Sequence, residues 1–297
     1  VAVIFGGSSS EKEVSMHTGL AVIEAIKEIY DVKAINLGND FNQLHKKLFD
    51  IDVVFNALHG GYGENGELQK YFEKYSIKYT GSGPKASKLA MDKNQTKLIA
   101  KSINIPVLDW KIIKKNDKIS INEFSFPLII KPNDGGSTIG LYFIDNKKKF
   151  SDSVMSAFNQ SDTLMVEQYF KGREISVPII DGQVLPIIEI KASNFLYDYE
   201  SKYQSNKTKY EVPAKIDSKL ERIISNKALL LYNKIGCKHY SRIDFLLNND
   251  KYYLLEINTL PGLTSTSLLP KSANHIGMSY PKLIKKIIDL ASWQSNF

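Results

Sequence analysis

Ser241-Arg242-Ile243-Asp244-Phe245-Leu246 and, past the turn residues Asn248-Asn249-Asp250-Lys251, Leu254-Leu255-Glu256-Ile257-Asn258 form the stretch from which the rest of the chain is read. Successive side chains of a strand point to opposite faces. Arg242 and Asp244 therefore share one face, with Ile243 and Phe245 on the other. In the second strand Glu256 and Asn258 lie opposite Leu255 and Ile257. The turn residues between them predict a hairpin. If both apolar faces meet the core, one Arg, two carboxylates and one amide converge on a single patch. Oxygen-only donors suit Mg²⁺ or Mn²⁺, ions that usually also bind phosphates. With no His or Cys pair at ligand spacing, zinc is disfavoured. The ribbon alone leaves a second reading open, a surface hairpin with Arg242 paired to Asp244 or Glu256. The residues that follow, Thr259-Leu260-Pro261-Gly262-Leu263-Thr264-Ser265-Thr266-Ser267, supply a hydroxyl-rich glycine loop and favour the first.

Upstream, the ribbon belongs to a strand-rich region with expected strands at Glu174–Ile180 and Val184–Ile190 and a helix at Leu220–Ile235. The polar, tyrosine-rich stretch Ala192–Lys209 is too long for an ordinary connector and reads as a functional loop. Before this region, strands at Val107–Lys114, Pro127–Lys131, Leu141–Asp145 and Thr163–Gln168 surround a helix at Lys147–Phe158, preceded by a polar helix at Lys85–Ser102. The chain opens with a buried strand, Val1–Gly7, then a helix with Leu20, Ile23, Ile26 and Ile29 on one stripe. Strands at Tyr30–Leu37 and Ile51–Leu58, with helical Phe41–Phe49 between and Glu67–Tyr75 after, complete a parallel α/β layer. The breaker run Gly81-Ser82-Gly83-Pro84 marks a boundary. The fold class is α/β, with units expected at 1–83, 84–171 and 172–297.

Three further motifs carry chemistry. Lys131-Pro132-Asn133-Asp134-Gly135-Gly136-Ser137-Thr138-Ile139-Gly140 is a glycine loop whose backbone N–H groups suit phosphate oxygens. It is no Walker A loop, because no Gly-Lys-Ser/Thr ends it and a strand follows; taken alone, a plain turn between strands accounts for it equally well. Val166-Glu167-Gln168-Tyr169-Phe170-Lys171-Gly172-Arg173-Glu174 leaves an apolar strand and sets two carboxylates seven residues apart, a hinge able to hold an adenine edge and a ribose. Glu11 and Ser15 after the first strand, and His59 after the third, stand at strand C-termini, where open α/β sheets bind ligands. A single turn histidine is more often structural. Gly61, Gly63 and Gly66 spell G-x-G-x-x-G, but Glu64 inside it would repel a pyrophosphate.

Composition narrows the class. The 297 residues are 43% hydrophobic and 24% charged, a globular balance without an apolar run of membrane-spanning length. No basic n-region or cleavage site suggests a secretion signal. One cysteine, Cys237, excludes an internal disulfide and fits a reducing cytoplasm. The net charge of +7 comes mostly from scattered lysines, since only Arg173, Arg222 and Arg242 are arginines. Dispersed Lys is a solvated surface rather than a nucleic-acid stripe.

The ordered set Val3-Ile4-Phe5-Gly6-Gly7, Glu11-Lys12-Glu13-Val14-Ser15, His59-Gly60, Gly63-Glu64, Met91-Asp92-Lys93, Lys131-Pro132, Gly136-Ser137, Tyr197-Asp198-Tyr199, Lys202-Tyr203, Arg242-Ile243-Asp244, Glu256-Ile257-Asn258-Thr259, Pro261-Gly262 and Ser267-Leu268 resembles the ATP-grasp ligases, specifically the D-alanine:D-alanine ligase family. The resemblance spans nearly the whole chain and implies a three-domain ATP-grasp architecture behind an N-terminal parallel α/β domain. It implies ATP with two Mg²⁺ (or Mn²⁺), D-alanine as substrate, no nucleic acid or membrane partner, a homodimer, and a cytoplasmic ligase of peptidoglycan synthesis. Lys93, Lys131 and Ser137 would hold phosphates, Glu167, Gln168, Tyr169 and Phe170 adenine, and Glu174 ribose. Asp244, Glu256 and Asn258 would bind the metals. Glu11 would hold the first D-alanine's ammonium, with Ser15 and His59 beside it, while Arg242 and the Gly262 N–H face the reacting carbonyl. Lys202 and Tyr203 would belong to a closing loop, and Ser267 with Leu268 would receive the second D-alanine. Glu11, Ser137, Tyr203 and Arg242 form the implied catalytic set. The family often has Gly-Glu-Asp-Gly where this chain has Gly63-Glu64-Asn65-Gly66, so Asn65 receives no role. D-Serine or D-lactate as second substrate, and a nucleotide-binding protein without turnover, are the competing readings.

Overall fold

The computed structural model describes residues 1–38, 40–136, 138–191 and 208–292. The apolar N-terminal run becomes β1 (Ala2–Gly6), buried throughout, between β2 (Lys33–Leu37) and β3 (Val54–Asn56) in a parallel sheet of order β2-β1-β3. A strand covered on both faces has to be apolar at every position. Helix α1 (Lys12–Ile26) packs on it by half of the expected stripe: Ile26 is buried and Ile23 packs against the core. Leu20 and Ile29 are exposed, and the buried face is Ser15, Thr18, Gly19, Val22 and Ile26. Close approach is the reason: a Cβ on Gly19 would lie 2.5 Å from Phe5 Cβ, so small residues face the sheet and the bulky Leu20 turns outward. Among the described residues between β2 and β3 the single-turn α2 (Leu44–Lys47) takes the place of the longer helix expected over Phe41–Phe49, and α3 (Glu67–Lys74) follows β3.

The polar helix expected over Lys85–Ser102 is two helices, α4 (Pro84–Met91) and α5 (Lys93–Ser102). Asp92 breaks them, its extended backbone and side chain capping α5 at Gln95 N. A four-stranded antiparallel sheet follows, order β4-β7-β5-β6, from β4 (Trp110–Lys114), β5 (Leu128–Pro132), β6 (Tyr142–Ile144) and β7 (Thr163–Gln168). Helix α6 (Phe150–Phe158) covers it through Phe150, Val154, Ala157 and Phe158.

The third sheet is antiparallel, order β11-β10-β8-β12-β13, with β8 (Arg173–Ile180), β10 (Ile188–Lys191), β11 (Lys209–Glu211), β12 (Tyr240–Asn248) and β13 (Lys251–Asn258); β9 (Gln183–Val184) pairs β8. The strand expected over Val184–Ile190 is thus two pieces with Pro186 between them, a residue that cannot donate to a ladder. Helix α7 (Ser218–Ile235) packs behind this sheet, and so do α4 and α5, through Ala86, Ala90 and Ala100. At the C-terminus α8 (Leu268–His275) and α9 (Tyr280–Ser292) were not read from the sequence. Leu283, Ile284 and Ile287 of α9 share a core with Val3, Phe5 and Val22, so the chain's end packs against its beginning.

Candidate active site

The ribbon forms as expected, with one correction. Asp244 lies directly across from Glu256 and Arg242 across from Asn258, so all four occupy one face. The register then slips, pairing Phe245 with Leu254, and Leu255 becomes the extra residue of a bulge. Leu254 and Ile257 are buried in the core, whereas Leu255, expected on the core face beside Ile257, lines the cleft next to Glu256. Strict alternation fails there because the bulge inserts one residue between core positions.

Asp244 is nearly inaccessible and doubly held. Arg242 Nε donates to both its oxygens at 3.0 Å, Nη2 donates to Oδ2 at 2.9 Å, and Ser176 Oγ donates to Oδ1 at 2.7 Å. Such a fork-on-carboxylate pair fixes both planes. Glu256 stands 4.0 Å from Lys93 Nζ, and Lys93 Nζ also donates to Gly135 O. Asn258 Oδ1 accepts from Leu260 N at 2.9 Å, shaping the turn into the hydroxyl loop. Among the described residues no three His, Cys, Asp or Glu side chains form a metal cluster. The ribbon offers two carboxylates and an amide, an all-oxygen donor set that fits a hard divalent cation completing its shell from water and phosphate.

Glu256 and Leu255 line a cavity of about 360 Å³ between the second and third sheets. The cavity gathers Lys93, Lys131, Glu167, Gln168, Tyr169, Phe170 and Glu174, every described residue expected on the nucleotide side. Tyr169 meets Phe143 edge-on at 4.9 Å and Phe170 meets Tyr253 at 4.8 Å, giving the cleft aromatic walls. Gln168 Nε2 donates to Pro127 O at 2.8 Å, so that amide braces the wall. Glu167 is fully buried between two lysines: Lys131 Nζ is 2.7 Å from Oε2, and Lys97 Nζ contacts Oε1. Burial alone would push Glu167 up, but Lys131 and Lys97 hold it below the usual carboxylate range. Burial pushes Lys97 down, against the pull of Glu167. Lys97 escaped the sequence reading, although it follows Lys93 by four residues and so shares its helix face.

The residues expected on the amino-acid side are divided between the first sheet and the loop before α8. Glu11 is buried at the start of α1, and its carboxylate is wedged between two glycine loops. A Cβ on Gly60 would lie 2.8 Å from Glu11 Oε2, and one on Gly136 3.1 Å from the same atom. Gly136 thus brings the phosphate-type loop to Glu11. His59 is held by Thr18 Oγ1 at 3.1 Å on Nε2 and by Glu64 Oε1 at 3.4 Å on Nδ1. Ser15, expected beside a substrate, is inaccessible; its hydroxyl accepts from Gly6 N at 2.9 Å and donates to Ala57 O at 2.8 Å. It ties β1 to the end of β3. Asn65 caps α3, its Oδ1 accepting from Glu67 N at 3.0 Å. Ser267 precedes α8 and shares its hydroxyl with Thr264 Oγ1 at 2.8 Å; the Cβ position of Gly262 is 3.3 Å from Ser267 Oγ. Leu268 is buried in a small cluster with Ile188 and Ile190. Ser137, Lys202 and Tyr203 lie outside the described residues. No described helix is long and apolar enough to cross a membrane.

Comparison with known proteins places this arrangement. Residues 99–289 match the family model of the D-ala D-ala ligase C-terminus and residues 36–82 that of the N-terminus. The chain is 39% identical to D-alanine--D-alanine ligase of Syntrophotalea carbinolica over 98% of its own length and 96% of the relative's. It is 38% identical to that of Haemophilus ducreyi over 98% and 97%. Among solved structures, D-alanine--D-alanine ligase from Bacillus anthracis complexed with ATP superposes with a TM-score of 0.88 at 35% identity, covering 98% of this chain and 96% of that one. The VanG D-Ala:D-Ser ligase from Enterococcus faecalis gives 0.83 at 28% identity, covering 98% of both. With its parallel N-terminal sheet and a cleft between two antiparallel sheets, the chain belongs to the ATP-grasp family of D-alanine–D-alanine ligases.

Proposed function

We propose that this protein joins two D-alanine molecules at the expense of ATP, giving D-alanyl-D-alanine, ADP and phosphate for peptidoglycan synthesis. The observation that carries the reading is the shared ribbon face of Arg242, Asp244, Glu256 and Asn258, of which Glu256 lines the same cleft as Lys93 and Lys131. A carboxylate is a poor acyl donor, so an oxygen of the first D-alanine first attacks the γ-phosphorus and ADP leaves. The amine of the second D-alanine then attacks the acyl carbon, loses a proton and expels phosphate.

Lys93 and Lys131 take the phosphate oxygens, and the aromatic walls at Tyr169 and Phe170 enclose the base, with Glu174 at the ribose. Asp244, Glu256 and Asn258 hold Mg²⁺ or Mn²⁺, which when bound neutralises phosphate charge. Glu11, beside the Gly136 loop, receives the first ammonium. Arg242 presents a fixed positive charge where the tetrahedral oxyanion develops, and Ser137 and Tyr203 complete the catalytic set. His59 orients the first amino acid, the Gly262 N–H meets the reacting carbonyl, and Ser267 and Leu268 border the second. Lys202 belongs to the loop that excludes water from the acyl phosphate. Ser15 serves this site indirectly, through the strand ends it ties. The cleft lies between the units expected at 84–171 and 172–297, with the unit expected at 1–83 carrying Glu11 to the neighbouring Gly136, and the working form is a cytoplasmic homodimer.

Phosphate release from ATP, followed with D-alanine and Mg²⁺ each omitted in turn, tests the reading. Release that requires both supports it; no release under any of these conditions returns the site to a nucleotide binder without turnover, and release indifferent to D-alanine makes the protein an ATPase rather than a ligase. Competing D-serine and D-lactate against D-alanine then sets the second substrate, for which D-alanine is expected to dominate.

A further inference from the structure

Lys97 has no place in that reaction, yet it is the most buried cation of the cleft region. It lies one turn after Lys93 on α5, is 1% exposed, and does not line the cavity. Its ammonium contacts Glu167 Oε1 and sits 5.6 Å from the centre of the Trp110 ring. Glu167 in turn reaches Lys131, which is 5% exposed and faces the cleft. Lys97 therefore stands behind a carboxylate and an ammonium that both line the cleft. A buried ion pair is complete with one cation per carboxylate, and each further buried charge is unfavourable by several kcal/mol unless something offsets it. This trio holds two cations for one anion, a net charge of +1 beside the nucleotide cleft.

We propose that Lys97 is a positioning residue that acts through Glu167: by balancing the carboxylate from behind, it leaves the charge of Lys131 available to the polyphosphate in the cleft. The inference rests on the nucleotide reading of that cleft. Without Lys97, Glu167 and Lys131 form a neutral pair, and a phosphate oxygen has to compete with Glu167 for the same ammonium. With Lys97 in place, Glu167 keeps its partner when Lys131 turns to phosphate.

The test is ATP binding by calorimetry across a cycle of Lys97→Met, Glu167→Gln and the double variant. Lys97→Met is expected to weaken ATP about tenfold, while Lys97→Arg, which keeps the charge, stays within about threefold of wild type. In the Glu167→Gln background no carboxylate remains to be balanced, so adding Lys97→Met should change ATP affinity by less than about threefold. A role in packing alone predicts the same loss in both backgrounds, and that additivity overturns the proposal. Should Lys97→Met fail to fold, Lys97→Gln, which removes the charge but keeps a polar group beside Glu167, takes its place in both backgrounds. Wild type that binds no ATP would instead overturn the nucleotide reading, and wild type that binds ATP with Lys97→Met unchanged would overturn only the role of Lys97.

Discussion

Arg242 grips Asp244 with Nε and Nη2, and Ser176 adds a fourth hydrogen bond to the same carboxylate. A guanidinium fixed in this way is preorganised: its charge and remaining donor geometry are set before substrate arrives. Arg242→Ala should therefore reduce turnover by about a hundredfold or more, the scale of losing one oxyanion donor. ATP affinity should change far less. Steady-state kinetics alongside ATP calorimetry separates the two, and equal losses would contradict the assignment. At this scale the sequence was informative where chemistry is periodic. Arg242, Asp244, Glu256 and Asn258 share a face because strand alternation says so. Ser15 and Lys97 were not legible in the same way. A serine after a strand looks the same whether its hydroxyl meets a substrate or two backbone groups, and a lysine on a polar helix reveals its burial only when sheets close over it.

At the scale of elements, two local features defeat simple periodicity. The bulge at Leu255 shifts the β13 pattern, and the close contact between α1 and β1 moves the buried face off Leu20 while keeping Ile26. Both depend on what lies opposite, which a single segment does not encode. The α1 contact gives a direct test. Gly19→Val places atoms into Phe5, so the helix has to move off the sheet; the expected loss is about 2–3 kcal/mol of stability, read by urea unfolding. Leu20→Ala, at a residue 53% exposed, should change stability by no more than about 0.5 kcal/mol. A Leu20 loss exceeding that of Gly19 would restore the stripe read from the sequence.

At the scale of the molecule, the parallel α/β layer and the two antiparallel sheets follow from strand and breaker order, whereas the packing of α9 on α1 does not. A link near the breaker run joins the first unit to the start of β12: Gly81 N donates to His239 Nδ1 at 2.9 Å, and Lys238 N donates to Ser82 Oγ at 3.1 Å. Burial pushes the His239 imidazole down to about 4 from 6.5, Lys238 adding to the effect and Asp181 opposing it. The unfolded chain takes up this proton near 6.5 and the folded one resists until about 4. The stabilisation is complete above the unfolded value and is lost as pH falls through this window. Between pH 7.5 and 5.0 the wild type should lose about 2 kcal/mol more than His239→Asn. Asn offers an acceptor for Gly81 N and tolerates the left-handed backbone at φ 59. Parallel pH profiles would remove His239 from the acid sensitivity of the molecule.

The claim on which the whole account depends is that the β12–β13 ribbon holds divalent ions at the phosphate end of ATP. Titrating Mn²⁺ into protein with and without ATP, followed by electron paramagnetic resonance, measures it directly. The account predicts nucleotide-dependent Mn²⁺ binding in the wild type that weakens by about tenfold or more in both Asp244→Asn and Glu256→Gln. Undiminished Mn²⁺ binding in the two variants would contradict it.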